Sequence, residues 1–143
     1  MTSKDYIGVS LRVWHREKSP KEISAALGRD PSYAATLGSP RGHPHRAVTA
    51  ATWQEHYWCS DFDEGATLEE RIAAVAKFIQ RKRLAMTELM RAGKGGRADL
   101  YVFAAPSTAL GIELEPVLLA DLGQIGINLS VEFMPPSSSG TQG

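Results

Sequence analysis

Two histidines, His43 and His45, are the residues best suited to bind a metal. They lie two positions apart in the segment GSPRGHPHR, so both imidazoles point to the same side where the chain is extended. Zinc needs three or four ligands, and only His15 and His56 could join them. The sequence has neither an HExxH motif nor a cysteine pair. We therefore keep His43 and His45 as weak metal candidates, interpret the segment as a loop, and predict no metal and no cofactor.

Arginines near these histidines are candidates for binding an anion. Arg41 and Arg46 flank the pair, and Arg12 and Arg29 could converge on them. Arginine forks match phosphate and carboxylate geometry. The segment GKGGR follows a helical pattern instead of preceding one, which is the wrong context for a phosphate-binding loop. A turn is the favoured interpretation.

Covalent and acid–base catalysis have little support in the sequence. Cys59 follows His56 by three residues, and in a strand these two side chains point to opposite faces. Cys59 is better interpreted as a small buried hydrophobe. Glu113 and Glu115 precede a helix start, where carboxylates commonly interact with the helix dipole. We predict no catalytic residue and favour a protein that is not an enzyme.

Aromatic and arginine side chains form the strongest binding candidates. Tryptophan beside arginine is typical of interaction hot spots, and Trp14 falls on the polar side of the first predicted strand. The predicted binding residues come from the first strand, the long loop and the aromatic segment: Arg12, Trp14, His15, Arg41, Trp53, Tyr57 and Trp58.

Composition limits the class of protein. The 143 residues have 16 basic and 16 acidic side chains, a balance that argues against nucleic acid as a partner. The single cysteine excludes an intrachain disulfide and fits a reducing cytoplasm. The N-terminal residues show no signal-peptide pattern, and no apolar run approaches the roughly 20 residues that span a bilayer. We expect a cytoplasmic protein without membrane contact.

Periodicity predicts alternating strands and helices over residues 1–134, followed by a disordered tail over 135–143. Alternating apolar residues predict strands near 6–14, 97–105 and 127–133, and aromatic residues favour one within 48–62. In the last strand Ile127, Leu129, Val131 and Phe133 are expected to face inward. Residues 29–47 read as a long loop. Capping signals begin helices after Ser19 and Thr67, and the second helix is expected to bend or break near the segment QRKR. The segment ALGIELE is predicted as a hairpin partner, and the helix from Pro116 is expected to end at Gly123.

This order of elements predicts a single α+β domain. We expect a two-layer sandwich with a four- to five-stranded mixed or antiparallel sheet and helices on one face, loosely ferredoxin-like. The half-polar first and last strands indicate that the other face of the sheet is open to water or to a partner.

Several segments resemble a bacterial family of unknown function, number 4279. They are the strand ending LRVWH, the helix start SPKEISAALG, the turn GSPR, the aromatic pair YW and the closing LGQIGINLSVEF. The likeness covers nearly all of residues 6–134. It implies a small α+β cytoplasmic bacterial protein and supplies no catalytic residues.

Two function classes remain open. The first is a non-enzymatic protein-interaction module, for example toxin-neutralising or regulatory, that binds a partner through the open sheet face or an edge. The alternative is a small-ligand-binding protein or minor enzyme, with a pocket between the 29–47 loop and the aromatic strand. The sequence predicts no oligomeric state.

Overall fold

A computed structural model describes residues 6–41, 51–91, 95–106 and 109–134. The elements run in the order β1 Tyr6–His15, α1 Pro20–Leu27, β2 Tyr33–Ala35, β3 His56–Asp61, α2 Leu68–Arg81, α3 Arg83–Met90, β4 Gly96–Ala105, α4 Pro116–Ile125 and β5 Ile127–Phe133. The predicted tail over 135–143 and part of the predicted loop lie outside the described residues.

The five strands form one mixed sheet in the order β2-β3-β1-β4-β5. β1 pairs antiparallel with β3 on one side and β4 on the other, whereas β5 runs parallel to β4. Helices α2 and α3 connect β3 to β4 across β1, which gives a split β-α-β unit of the ferredoxin-like kind. The α+β class and the mixed five-stranded sheet are as predicted.

Strand alternation divides the sheet into a covered and an open face. In β1 the odd-numbered residues Val9, Leu11 and Val13 are buried, and the even-numbered residues between them are half-buried. All four helices contribute buried apolar side chains to the same core as these strand residues. The even-numbered residues of β1 therefore lie on a face that no described helix covers.

Local signals explain how the helices begin and end. The side chains of Ser19 and Thr67 each accept a hydrogen bond from the backbone N–H three residues later. The carboxylates of Glu22 and Glu70 accept in turn from the backbone N–H of Ser19 and Thr67, so both predicted capping boxes are present. The predicted break near QRKR lies at Lys82, where α2 ends and α3 begins.

Some sequence predictions of local structure are wrong. Residues 109–115 form no strand, although they are described. Helix α4 passes Gly123 and ends at the left-handed Gly126, because Ile125 adds another turn of buried side chain. In β5 the residues Leu129, Val131 and Phe133 face the helix layer, but of the inward-facing residues only Ile127 is buried, since the strand lies at the edge of the sheet and no described neighbour covers the other three.

The predicted loop is partly an irregular hairpin arm between β2 and β3. Backbone hydrogen bonds join Gly38 N–H to the Trp53 carbonyl (2.8 Å) and Trp53 N–H to the Ser39 carbonyl (2.9 Å). Pro40 and Thr52 form an isolated bridge farther along. This arm brings Trp53 close to the strand β3 that follows it.

Candidate functional site

The open face of the sheet is the candidate site, and its rings and charged side chains come from all five strands. Residues paired across the strands fix its composition, because directly opposed side chains share a face. The rings are Tyr6, Trp14, Tyr33, Tyr57, Tyr101 and Phe103, and the charged residues are Arg12, Arg97, Asp61, Asp99 and Glu132.

A row of aromatic rings crosses the β3 and β1 side of this face. Trp53, from the hairpin arm, stacks on Tyr57 with centroids 5.2 Å apart and planes 12° apart. On its other side Tyr57 contacts Trp14 at 5.2 Å, and Tyr33 lies 5.9 Å from the Tyr57 ring. Each of the three other rings contacts Tyr57, and the stacking of Trp53 on Tyr57 leaves little space between the hairpin arm and the strand.

Arginines stack on both ends of the row. The Arg41 guanidinium lies 4.4 Å from the Trp53 ring, and that of Arg97 lies 4.1 Å from the Trp14 ring. Arg97 also pairs with Glu55 at 3.2 Å. The result is a continuous series of ring and cation–π contacts, Arg41–Trp53–Tyr57–Trp14–Arg97, which we call the aromatic–arginine row. Cation–π contacts of this kind hold flat side chains in place without withdrawing them from solvent.

Arg12 lies beside the aromatic–arginine row, near the centre of the sheet. Its guanidinium is 3.7 Å from the Tyr101 ring, and Tyr101 in turn donates a hydrogen bond to Glu132. The Nε of Arg12 is buried and has no hydrogen-bond partner. A buried donor without an acceptor is costly, so the geometry leaves Arg12 able to gain from an additional acceptor.

The carboxylates of the open face already accept hydrogen bonds from neighbouring side chains. Ser10 donates to Asp61 and Ser130 donates to Asp99, each at 2.7 Å. The two arginines of the strands, Arg12 and Arg97, therefore share this face with the three carboxylates of Asp61, Asp99 and Glu132. The face is rich in hydrogen-bonding groups and has no excess of positive charge.

Three side chains of this face, two tyrosines and the cysteine, have a raised pKa and so stay uncharged. Burial raises the pKa of the Tyr57 hydroxyl well above its ordinary value, and burial also raises the pKa of the Cys59 thiol. The hydrogen bond to Glu132 raises the pKa of Tyr101. A thiol with a raised pKa is a poor nucleophile, which agrees with the interpretation of Cys59 as a small apolar side chain.

The sequence profile of a family described as a domain of unknown function, DUF4279, matches residues 4–134. The chain belongs to the DUF4279 family. No curated protein matches it, and no solved structure matches it. The matched range contains all nine helices and strands, so the family resemblance seen in the sequence covers the whole described fold of this DUF4279 domain.

Five of the seven predicted binding residues come together. Arg12, Trp14 and Tyr57 lie on the open face, and Arg41 and Trp53 extend it from the hairpin arm. These are the residues that the sequence pattern grouped by aromatic and arginine content.

The other two predicted binding residues, His15 and Trp58, lie on the covered face. Both are 0% exposed. Trp58 donates through its indole nitrogen to Ser24 of α1 (3.0 Å), and the Nδ1 of His15 accepts from the backbone N–H groups of Glu17 and Lys18. Their neighbours Trp14 and Tyr57 lie on the open face, so alternation places His15 and Trp58 in the core.

Sequence reasoning did not name several residues of the open face, among them Tyr33, Arg97 and Tyr101. Arg97 and Tyr101 are in β4, whose period-two pattern could have placed them opposite Trp14 and Ser10 once β1 and β4 were known to pair. Tyr33 belongs to a three-residue strand inside the predicted loop, for which no local signal was available.

The metal candidates His43 and His45 lie outside the described residues. Among the ranges that are described, no group of three or more histidine, cysteine, aspartate or glutamate side chains could hold a metal ion. In the same ranges, no helix is long and apolar enough to cross a bilayer.

A groove of about 450 Å³ lies on the opposite side of the DUF4279 domain, between α2 and α4. Its floor is apolar and includes Ile72 and Leu118, and Glu69, Glu113 and Lys77 contribute charged groups. It is separate from the aromatic–arginine row, since α2 and α4 pack on the covered face of the sheet.

Proposed function

We propose that this DUF4279 domain is a non-enzymatic protein-interaction module that binds a partner protein through the open face of its sheet. The observation that carries the proposal is the aromatic–arginine row. Tryptophan, tyrosine and arginine are the residues most enriched among interaction hot spots, and here they form one connected surface.

The row is already ordered before any partner binds. Stacking between Trp53 and Tyr57, and between each terminal arginine and its ring, fixes side chains that would otherwise lose rotamer freedom on association. Such preorganisation reduces the entropic cost of binding. Arg12, whose guanidinium lies 3.7 Å from the Tyr101 ring, adds a positive charge next to this surface.

The charge of the face favours protein over nucleic acid. Exposed aromatic rings on a sheet can stack on bases, but that mode of binding also needs a positive groove for the phosphates. Here the carboxylates of Asp61, Asp99 and Glu132 outnumber the two strand arginines. A bacterial, cytoplasmic setting and a toxin-neutralising or regulatory role are narrower forms of the same proposal, supported by the single cysteine and by the sequence resemblance.

The alternative, a small ligand bound between the hairpin arm and the aromatic strand, has less support. Trp53 and Tyr57 are stacked on each other at the position where that ligand would lie. A ligand would have to separate them and lose their contact.

The experiment is a comparison of single substitutions on the two sides of the domain. Partner proteins would be captured on the tagged DUF4279 domain from its source cells, identified by mass spectrometry, purified and titrated by calorimetry. Trp14→Ala and Arg97→Ala should each weaken binding of the purified partner at least about 30-fold, the effect of a hot spot of about 2 kcal/mol. Leu84→Ala, on the helix side and 85% exposed, is the matched control and should leave affinity unchanged.

Two results would count against the proposal. One is that folded Trp14→Ala and Arg97→Ala proteins bind every purified partner as tightly as the unsubstituted domain. The other is saturable binding of a labelled oligothymidylate that the same two substitutions abolish, which would assign the face to single-stranded nucleic acid.

A further inference from the structure

Strand β5 forms one edge of the sheet along all seven of its residues. Among the residues that the structure describes, it pairs only with β4, on its inner side. Its sequence, INLSVEF, contains neither lysine nor proline, two residues that commonly protect such edges, and its one charged side chain, Glu132, is bonded to Tyr101 on the open face. The opposite edge, β2, is only three residues long. Within the described part of the chain, β5 is therefore the longer of the two sheet edges, and no described strand pairs with its outer side.

Exposed apolar side chains are concentrated beside this edge. Eleven large hydrophobic residues are exposed among those described, and four of them are Leu129, Val131, Phe133 and Met134, at 37–48% exposure. The first three share the side of β5 that faces the helix layer, because they pair with the buried Leu100, Val102 and Ala104 of β4.

A fifth exposed residue, Leu119 of α4, lies next to this strip. Val117 lines the groove toward α2, and Asp121 bonds to Arg83 of α3, so this flank of α4 faces the other helices. At about 100° per residue, Leu119 lies on the opposite flank, toward the β5 edge. Nearly half of the exposed large hydrophobic residues thus border one unpaired strand, and concentrations of this kind mark interaction surfaces.

We propose that the occupant of this edge is a second copy of the same chain, whose β5 pairs antiparallel with β5. In a two-fold interface, if residue i of one copy contacts residue j of the other, then residue j of the first copy contacts residue i of the other. Centred on Ser130, the pairing uses all seven residues and places Leu129 opposite Val131 of the partner subunit. Ile127 then lies opposite the partner's Phe133 in the same way.

Charge favours this self-pairing. Glu132 is the strand's one charged residue, and like charges directly opposite each other destabilise a strand pair. In the register centred on Ser130, Glu132 lies opposite Asn128 of the partner subunit, so a carboxylate meets an amide that can donate to it. The apolar residues meet on one side of the ribbon and the polar residues on the other.

The paired strands join two sheets into one of ten strands. The two-fold axis of an antiparallel edge pair at Ser130 is perpendicular to the sheet, so both open faces point in the same direction. The dimer therefore presents two aromatic–arginine rows on one surface.

The first test is the dependence of mass on protein concentration, measured by analytical ultracentrifugation. The unsubstituted chain should form a dimer. Val131→Lys should raise the dimer dissociation constant at least about tenfold, because each ammonium would lie beside an apolar partner residue. Leu84→Lys places the same charge on the most exposed hydrophobic residue, away from β5, and should dimerise normally.

The second test is disulfide cross-linking in a Cys59→Ala background, which leaves a single introduced thiol. Ser130→Cys should cross-link to itself, because directly opposed residues have Cα atoms about 4.5–5.5 Å apart, within disulfide range. Asn128→Cys is the matched control. Its own copy lies four residues away along the partner strand, about 13 Å, and should not cross-link.

A chain that stays monomeric at every concentration would overturn the proposal. So would a dimer that Val131→Lys and Leu84→Lys affect equally, since that dimer would not use β5. A dimer that is sensitive to Val131→Lys but cross-links no better at Ser130 than at Asn128 would refute the antiparallel pairing.

Discussion

His15 should make the stability of this domain depend on pH. The ring is fully buried at the end of β1, and its Nδ1 accepts hydrogen bonds from the backbone N–H groups of Glu17 (3.0 Å) and Lys18 (2.9 Å). These bonds order the turn that leads to the N-cap of α1. A protonated Nδ1 carries its own hydrogen and cannot accept either bond, so the fold requires the neutral ring.

Two substitutions separate the contribution of these hydrogen bonds from that of the buried ring. His15→Ala removes a buried ring and leaves two backbone donors without their acceptor, and we expect it to lower the free energy of unfolding by about 3–4 kcal/mol. His15→Asn places an amide oxygen where Nδ1 was, so it keeps the acceptor and loses only the outer part of the ring. It should cost about 2 kcal/mol less than alanine, at about 1 kcal/mol for each hydrogen bond retained.

Acid should destabilise the unsubstituted protein through the same residue. Burial lowers the pKa of His15 below 6.5 and outweighs the nearby carboxylate of Glu17, while Lys18 and His56 lower it further. The unfolded chain therefore binds a proton at a higher pH than the native chain does. The contribution of His15 to the free energy of unfolding is fully present above pH 6.5 and is lost as the pH drops from there toward the lowered native pKa.

The assay is urea denaturation followed by tryptophan fluorescence across that pH range. The profile of the unsubstituted protein should fall more steeply in acid than that of His15→Asn, which has no imidazole at this position. Parallel profiles would show that His15 does not carry the pH dependence. Equal stability of His15→Ala and His15→Asn above pH 6.5 would refute the role of the two hydrogen bonds.

Three further predictions concern packing, a buried charge and a helix cap, and each can be measured by urea denaturation. Gly96→Ala should lower the free energy of unfolding by about 3 kcal/mol or more, because its Cβ would lie 2.0 Å from a backbone oxygen of α3. Gly123→Ala in α4 is the control, since its Cβ meets nothing within 4 Å, and it should be neutral or stabilising. Equal effects of the two substitutions would contradict the close packing at Gly96. Arg83→Met should cost about 2 kcal/mol by leaving the buried carboxylate of Asp121 unpaired, an effect reduced by the partial exposure of Arg83, and an unchanged stability would show that water replaces the ion pair. Thr67→Ala should cost about 1 kcal/mol and Thr67→Ser much less, unless the capping hydrogen bond contributes nothing.

The helix starts and the class of fold were predictable because their signals are local. Ser19 and Thr67 each precede a glutamate by three residues, and a capping box forms from that spacing alone. The alternation in β1 likewise placed Trp14 with Ser10 and Arg12 on the polar side. In each case residues close in the chain carry the whole signal.

The candidate site was only partly predictable. The face on which a strand residue lies depends on whether its position is odd or even, and its neighbours on that face depend on which strands pair. Grouping residues by type joined Tyr57 with Trp58, but adjacent strand residues point to opposite faces. Arg97 reaches Trp14 only because β4 pairs with β1 in one register, a long-range fact that no local pattern contains. Residues 109–115 had a strand-like pattern and remained outside the sheet.

The two proposed surfaces lie on different parts of the sheet and can be tested separately. The aromatic–arginine row lies on the β3 and β1 side of the sheet, and the proposed self-pairing uses the far edge of β5. Val131→Lys should therefore weaken the dimer and leave the intrinsic affinity of one open face for its partner unchanged. A partner with two matching sites should nevertheless bind this variant more weakly than the dimer, because two sites on one surface raise the effective concentration of the second contact. A loss of intrinsic affinity in the monomer would instead mean that the open face is completed by the second copy.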